Sequence, residues 1–154
     1  MATHSTIWRT ELWHPLLVHF PIVCLLLASV SGIFYGLYSD YARHPNPRRF
    51  PVWMLGLGVA SAWISIWTGE YSFGKIMNAD MFLLQEHQWW SYVSTVDYSA
   101  AFLLQLISGR LPGIFSALSH WMKFLLLLAG AAALMYSVYL GTIAVYDQGA
   151  GVVN

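Results

Sequence analysis

Phe124–Tyr146 reads FLLLLAGAAALMYSVYLGTIAVY, a run with no Asp, Glu, Lys or Arg. A helix on the surface of a soluble domain keeps a polar face, and this one would have none. It is long enough to cross the hydrocarbon core, which takes about 20 apolar residues. Pro15–Tyr38 is a second run without a charge, and Pro51–Thr68 is a third, closed by Gly69 and Glu70. Gln88–Ile107 is similar but carries Asp97. Four crossings are therefore expected, over about 15–38, 51–70, 87–107 and 122–146. The expected fold is all-α, an integral membrane four-helix bundle forming one transmembrane domain over residues 1–154.

Composition agrees. Of 154 residues, 58% are hydrophobic and 9% are charged, against roughly 25% charged in soluble domains. Formal net charge is zero, which gives nucleic-acid binding no electrostatic support. The single cysteine, Cys24, lies in an apolar run, so no intrachain disulfide framework is possible, and no Cys-x-x-Cys-His attachment site for c-type heme is present. Met1–Glu11 lacks the basic flank and following apolar core of a cleaved signal peptide, so the first helix is expected to act as its own insertion signal. No internal repeat stands out strongly enough to name.

Basic residues set the expected orientation. The 40–50 and 108–123 loops share one side and carry Arg43, Arg48, Arg49, Arg110 and Lys123. The side with both termini and the 70–87 loop carries only Arg9 and Lys75. Both termini are then periplasmic in a bacterial inner (plasma) membrane. Glu11, Glu70, Asp80, Glu86 and Asp147 make that outer face acidic. Ala28, Gly32 and Gly36, and likewise Ala133, Ser137 and Gly141, repeat every four residues, a spacing that permits close helix packing in lipid. Trp8, Trp13, Trp53, Trp89, Trp90 and Trp121 fall near the expected boundaries, as interfacial anchors do.

The antiparallel topology brings His14 and His19 on the first helix to the level of His87 on the third, at the periplasmic end. Ionisable groups in membrane bundles are functional candidates, and imidazole is a common metal and heme ligand. On the third helix His87, Ser91, Ser94, Tyr98, Ala101 and Gln105 share one face of small or polar residues, offering room for a flat macrocycle. His14 and His19 are about 140° apart around an ideal helix. Pro21 removes the backbone bond to Leu17 and is expected to kink the helix beside His19. Asp97 reads either as part of a proton path or as a protonated structural acid. Trp63, Trp67 and Glu70 share a face that suits interhelix packing, or the flank of a cofactor or quinone. His44 and His120 have no matching histidine at their level. No phosphate loop, nucleophile elbow or zinc-protease motif occurs.

The stretch His14-Pro15-Leu16-Leu17-Val18-His19-Phe20-Pro21 resembles the opening of a family of small bacterial four-helix membrane proteins, domain of unknown function 2231. His87 matches that family's third-helix histidine by position. Val145-Tyr146-Asp147-Gln148-Gly149-Ala150-Gly151-Val152 is similar to its ending, with Gln148 where the family has histidine. The family's repeated histidines imply a redox-metal or heme role.

The expected function is that of a b-type cytochrome-like electron-transfer subunit binding heme b near the periplasmic face. His19 and His87 are the preferred axial ligands to the metal, with His14 as substitute or supporting group. Electrons would pass between a periplasmic cytochrome c or dehydrogenase subunit and membrane quinone, inside a larger membrane complex that supplies any catalysis. The alternatives are an accessory structural subunit that binds only lipid, and a non-heme copper or iron site using His14, His19 and His87.

Overall fold

The computed structural model describes residues 13–37, 49–73, 80–108 and 113–149. Positions 40–48 of the 40–50 loop, with His44, Arg43 and Arg48, together with Arg9, Glu11, Lys75, Arg110, Trp8 and residues 150–152 of the family-like ending, lie outside them. So do the side chains of Trp13 and Gly36. The described residues form four helices: α1 (Trp13–Leu37), α2 (Arg49–Phe73), α3 (Met81–Ser108) and α4 (Gly113–Tyr146). α1, α2 and α4 contain segments long and apolar enough to cross a membrane. α3 is equally long, but Glu86, Asp97 and its serines lower its hydropathy. The protein is an all-α membrane bundle.

The helices overrun their apolar segments. α4 begins at Gly113, nine residues before the expected 122, and at 34 residues it is about 50 Å long. Hydropathy locates the part of a helix that lies in hydrocarbon. The hydrogen-bonded rod extends beyond that part, since backbone bonding does not depend on side-chain hydropathy. At the start of α3, Asp80 caps the helix: its Oδ1 accepts from Phe82 N–H at 2.9 Å and its backbone oxygen from Leu84 N–H at 3.1 Å.

Packing is in pairs. α1 lies along α2, and α3 along α4; the α2–α3 and α1–α4 seams are much looser, and α1 and α3 stand on a diagonal. Lipid offers no hydrophobic drive between helices, so close fit and hydrogen bonds hold the pairs. Hydroxyls inside the helices are satisfied mostly by the carbonyl three or four residues back, as for Ser61 to Leu57 O (2.7 Å) and Ser99 to Thr95 O (2.7 Å). At the centre Tyr98 is fully buried, and its hydroxyl pairs with Ser29 Oγ at 2.7 Å across the two hairpins. Leu25, Ala28, Leu55, Ala62, Ala101, Leu127 and Leu134 surround it.

The two hairpins repeat one another. A shift of 73 positions carries His14 to His87, Pro21 to Ser94, Leu25 to Tyr98 and Ala28 to Ala101. A shift of 72 carries Leu55 to Leu127, Gly58 to Gly130, Ala62 to Leu134, Ser65 to Ser137, Gly69 to Gly141 and Ser72 to Ala144. Apart from the histidines and the Gly69–Gly141 pair, which are half-buried in both halves, all of these positions are buried in both halves. The close approaches repeat as well. Leu25 leaves no room for a side chain on Gly58, and Tyr98 crowds the matching space at Gly130.

Candidate functional site

His14 stands in the first turn of α1, beside the last turns of α2. Its Nδ1 lies 2.8 Å from Ser65 O, so this nitrogen carries the proton and donates it. His87, in the second turn of α3, does the same with Ser137 O of α4, also at 2.8 Å. Each ring rests on the glycine one turn beyond its carbonyl partner. A Cβ on Gly69 would stand 2.9 Å from His14 Cε1, and one on Gly141 would stand 3.0 Å from His87 Cε1. These glycines are needed for close approach, not for backbone conformation.

The two rings meet. Their centroids are 6.3 Å apart and their planes are inclined at 73°. Equivalent residues of the two hairpins thus face each other, which places the relating twofold between them. With each Nδ1–H committed to a carbonyl, each Nε2 keeps a free lone pair. A backbone carbonyl on the far nitrogen is the usual way a metal-binding imidazole is held in one tautomer and orientation. The walls that α2 and α4 offer at this level are small: Gly69 and Ser72 on one side, Gly141 and Ala144 on the other. Among the described residues, no three of His, Cys, Asp and Glu cluster in a way that could hold a metal.

Of the three candidate histidines, the structure brings together His14 and His87 and leaves His19 apart. His19 is exposed, and its Nδ1 donates to Pro15 O of its own helix at 2.8 Å. The wide angle between His14 and His19 around α1 survives in the structure. α1 passes Pro21 as a helix, and His14 is the one that turns inward.

The small, polar face of α3 serves a different purpose from the one its composition suggests. Below His87 it is filled by packing. Ser91 Oγ pairs with Ser137 Oγ at 2.7 Å, and Ser94, Tyr98 and Ala101 are buried against neighbouring helices. Asp97 sits mid-helix against Gly130, its Oδ2 buried and without a hydrogen-bond partner. His120 lies exposed near the opposite end of the bundle.

Ser65 and Ser137 are the contributions that sequence reading missed, because they act through backbone oxygens. The recurrence of Ser-x-x-x-Gly at 65–69 and 137–141 was the available signal. Gln148, standing where the family has histidine, accepts from Asp80 N–H at 2.8 Å. That places it over the start of α3, two helical turns from His87 and clear of the ring pair.

No match was found among curated proteins or among solved structures. A family model described as a predicted membrane protein (DUF2231) matches residues 12–154, nearly the whole chain. The described four-helix architecture agrees with that description, and the chain belongs to this family.

Proposed function

We propose that the protein is a membrane-embedded b-type heme protein in which His14 and His87 would hold the heme. The observation that carries this reading is the pair itself: two imidazoles on diagonal helices, each fixed through Nδ1 by a carbonyl of a third and fourth helix. The ring centroids stand 6.3 Å apart, and each ring has its Nε2 left to bind a metal because its Nδ1 is committed to a carbonyl. Two protein ligands are too few for a structural zinc site, which takes four. They suffice for a metal that brings its own equatorial nitrogens. Small residues on α2 and α4 leave low walls where the edges of a macrocycle would lie.

A heme held by these two imidazoles would supply one-electron transfer. The chain's part is to hold both rings in one tautomer and to exclude other ligands from them. The basic-residue asymmetry supports a periplasmic position for this end of the bundle in a bacterial inner membrane. A periplasmic cytochrome c or dehydrogenase subunit would exchange electrons on that side. Membrane quinone would exchange them from the bilayer, and a larger complex would supply any catalysis.

The test is a visible spectrum of the purified protein, oxidised and then reduced by dithionite, after reconstitution with heme b. A Soret band with a sharp α band on reduction is expected. His14→Ala and His87→Ala should each abolish it, while His19→Ala should keep it. A protein that takes up no heme, or a His14→Ala/His87→Ala double variant that keeps the band, would overturn the assignment.

A further inference from the structure

The repeat provides an internal control for the lipid-facing seams. The α2–α3 and α1–α4 seams occupy equivalent places on either side of the histidine pair. Each is bordered by residues at i, i+4 and i+7 on both helices. On α2 and α3 these are Trp63, Trp67 and Glu70 facing Ser99, Val96 and Tyr92. The same shifts give Met135, Tyr139 and Thr142 facing Leu26, Val23 and His19 on the other side.

The apolar middle positions are alike: Val96 and Val23 are exposed to the same degree, and Trp67 and Tyr139 are both exposed aromatics. The ends differ. At the α2–α3 seam the Tyr92 hydroxyl donates to Glu70 Oε1, and Trp63 Nε1–H donates to Ser99 Oγ at 3.2 Å. The Trp63 and Tyr92 rings also touch, with centroids 6.3 Å apart. At the equivalent seam Met135 and Leu26 have no polar group to pair, and His19 and Thr142 each donate to a carbonyl of their own helix, Pro15 O at 2.8 Å and Val138 O at 2.8 Å. One seam has gained a row of donors, an acid and flat aromatic walls facing lipid, where such groups are costly and mark function.

We infer that the α2–α3 seam binds the head group of a membrane quinone. The chemistry matches both redox forms. Quinone carbonyls would accept hydrogen bonds from the Tyr92 hydroxyl and the Trp63 indole, each proton turning to the quinone from its present acceptor, Glu70 or Ser99; a quinol hydroxyl would donate to the Glu70 carboxylate. Trp67 and Trp63 offer ring faces for the head, and the seam opens directly to the bilayer that holds the isoprenoid tail. The place is apt: Glu70 follows Gly69, against which His14 rests, and Tyr92 is five residues beyond His87. The inference rests on the electron-transfer reading for its purpose and not for its geometry.

The experiment titrates decylubiquinone into the detergent-solubilised full chain, following tryptophan fluorescence, with the Soret band of the same sample recorded separately. Saturable quenching is expected. Trp67→Phe should reduce its amplitude, Tyr92→Phe should weaken decylubiquinone binding more than tenfold, and Glu70→Gln should weaken binding of decylubiquinol, titrated in the same way under dithionite, more than tenfold. Met135→Leu and Thr142→Val, at the equivalent seam, should leave the titration unchanged. Helical circular dichroism verifies folding of every variant. Quenching that does not saturate, or that Met135→Leu and Thr142→Val weaken as much as Tyr92→Phe, would show partitioning into detergent and overturn the inference. Seam-specific quenching without any Soret band would sink the heme assignment and leave the quinone site standing; a Soret band without it would do the reverse.

Discussion

Replacing Gly69 by alanine tests the histidine pair at its tightest point. The added Cβ would stand 2.9 Å from His14 Cε1 and 3.0 Å from Nδ1. Carbon atoms prefer about 3.5–4.0 Å, so the ring must retreat by at least about 0.6 Å. It cannot do so freely, because Nδ1 is tied to Ser65 O at 2.8 Å. The same retreat stretches that bond to about 3.4 Å, beyond the usual N–H···O range of about 2.7–3.2 Å. The lost bond costs about 1 kcal/mol, and overpacking adds roughly 1–3 kcal/mol.

A shift of this size in a supporting contact lowers metal affinity about 10–100-fold. Gly69→Ala should therefore lower heme occupancy at limiting heme, read from Soret absorbance per protein. The heme-free protein should melt lower as well, by about 4–16 °C. Gly141→Ala should act in the same direction and more weakly, since its Cβ would lie 3.0 Å and 3.2 Å from the His87 ring. Gly32→Ala is the control. Its Cβ would meet only Leu127 Cδ1, the end of a flexible side chain, at 2.6 Å. A Gly69→Ala protein with full heme occupancy and unchanged melting would refute the reasoning, as would a Gly32→Ala protein damaged equally.

The repeat yields a second prediction, about its two serines. Ser137 Oγ pairs with Ser91 Oγ at 2.7 Å and with His87 at 3.2 Å, whereas Ser65 Oγ is buried with no partner because Val18 stands where the other half has Ser91. Ser137→Ala should cost about 1–2 kcal/mol in thermal or denaturant unfolding, and Ser65→Ala about nothing; equal effects would contradict the geometry. At the centre, Tyr98→Phe should cost about 1 kcal/mol by leaving Ser29 with only Leu127 O at 3.4 Å. A Ser29→Ala/Tyr98→Phe double variant should lose less than the two single losses added together, because the partners share one bond; strict additivity would show that the hydroxyls do not interact.

The sequence by itself determined membrane residence and the four helices. A chain with so few charges and uncharged runs of bilayer length has no other way to satisfy its backbone in lipid. It also placed three histidines at one end of the bundle, because helix direction alternates and level along the membrane follows from chain position. What it left open was the angle around each helix. α1 is apolar on every side, so no polar face says whether His14 or His19 turns inward. The structure decides that through packing: Gly69 leaves space for one ring, and Ser65 O supplies its acceptor. The duplication was hidden for a related reason. Membrane helices share a common composition, and the two halves are identical at only a few contact positions, such as Gly58 and Gly130 or Ser65 and Ser137. Those positions acquire meaning once the hairpins are packed. Only then does a pair of equivalent histidines, 73 residues apart in the chain, stand ring to ring on the axis between the halves.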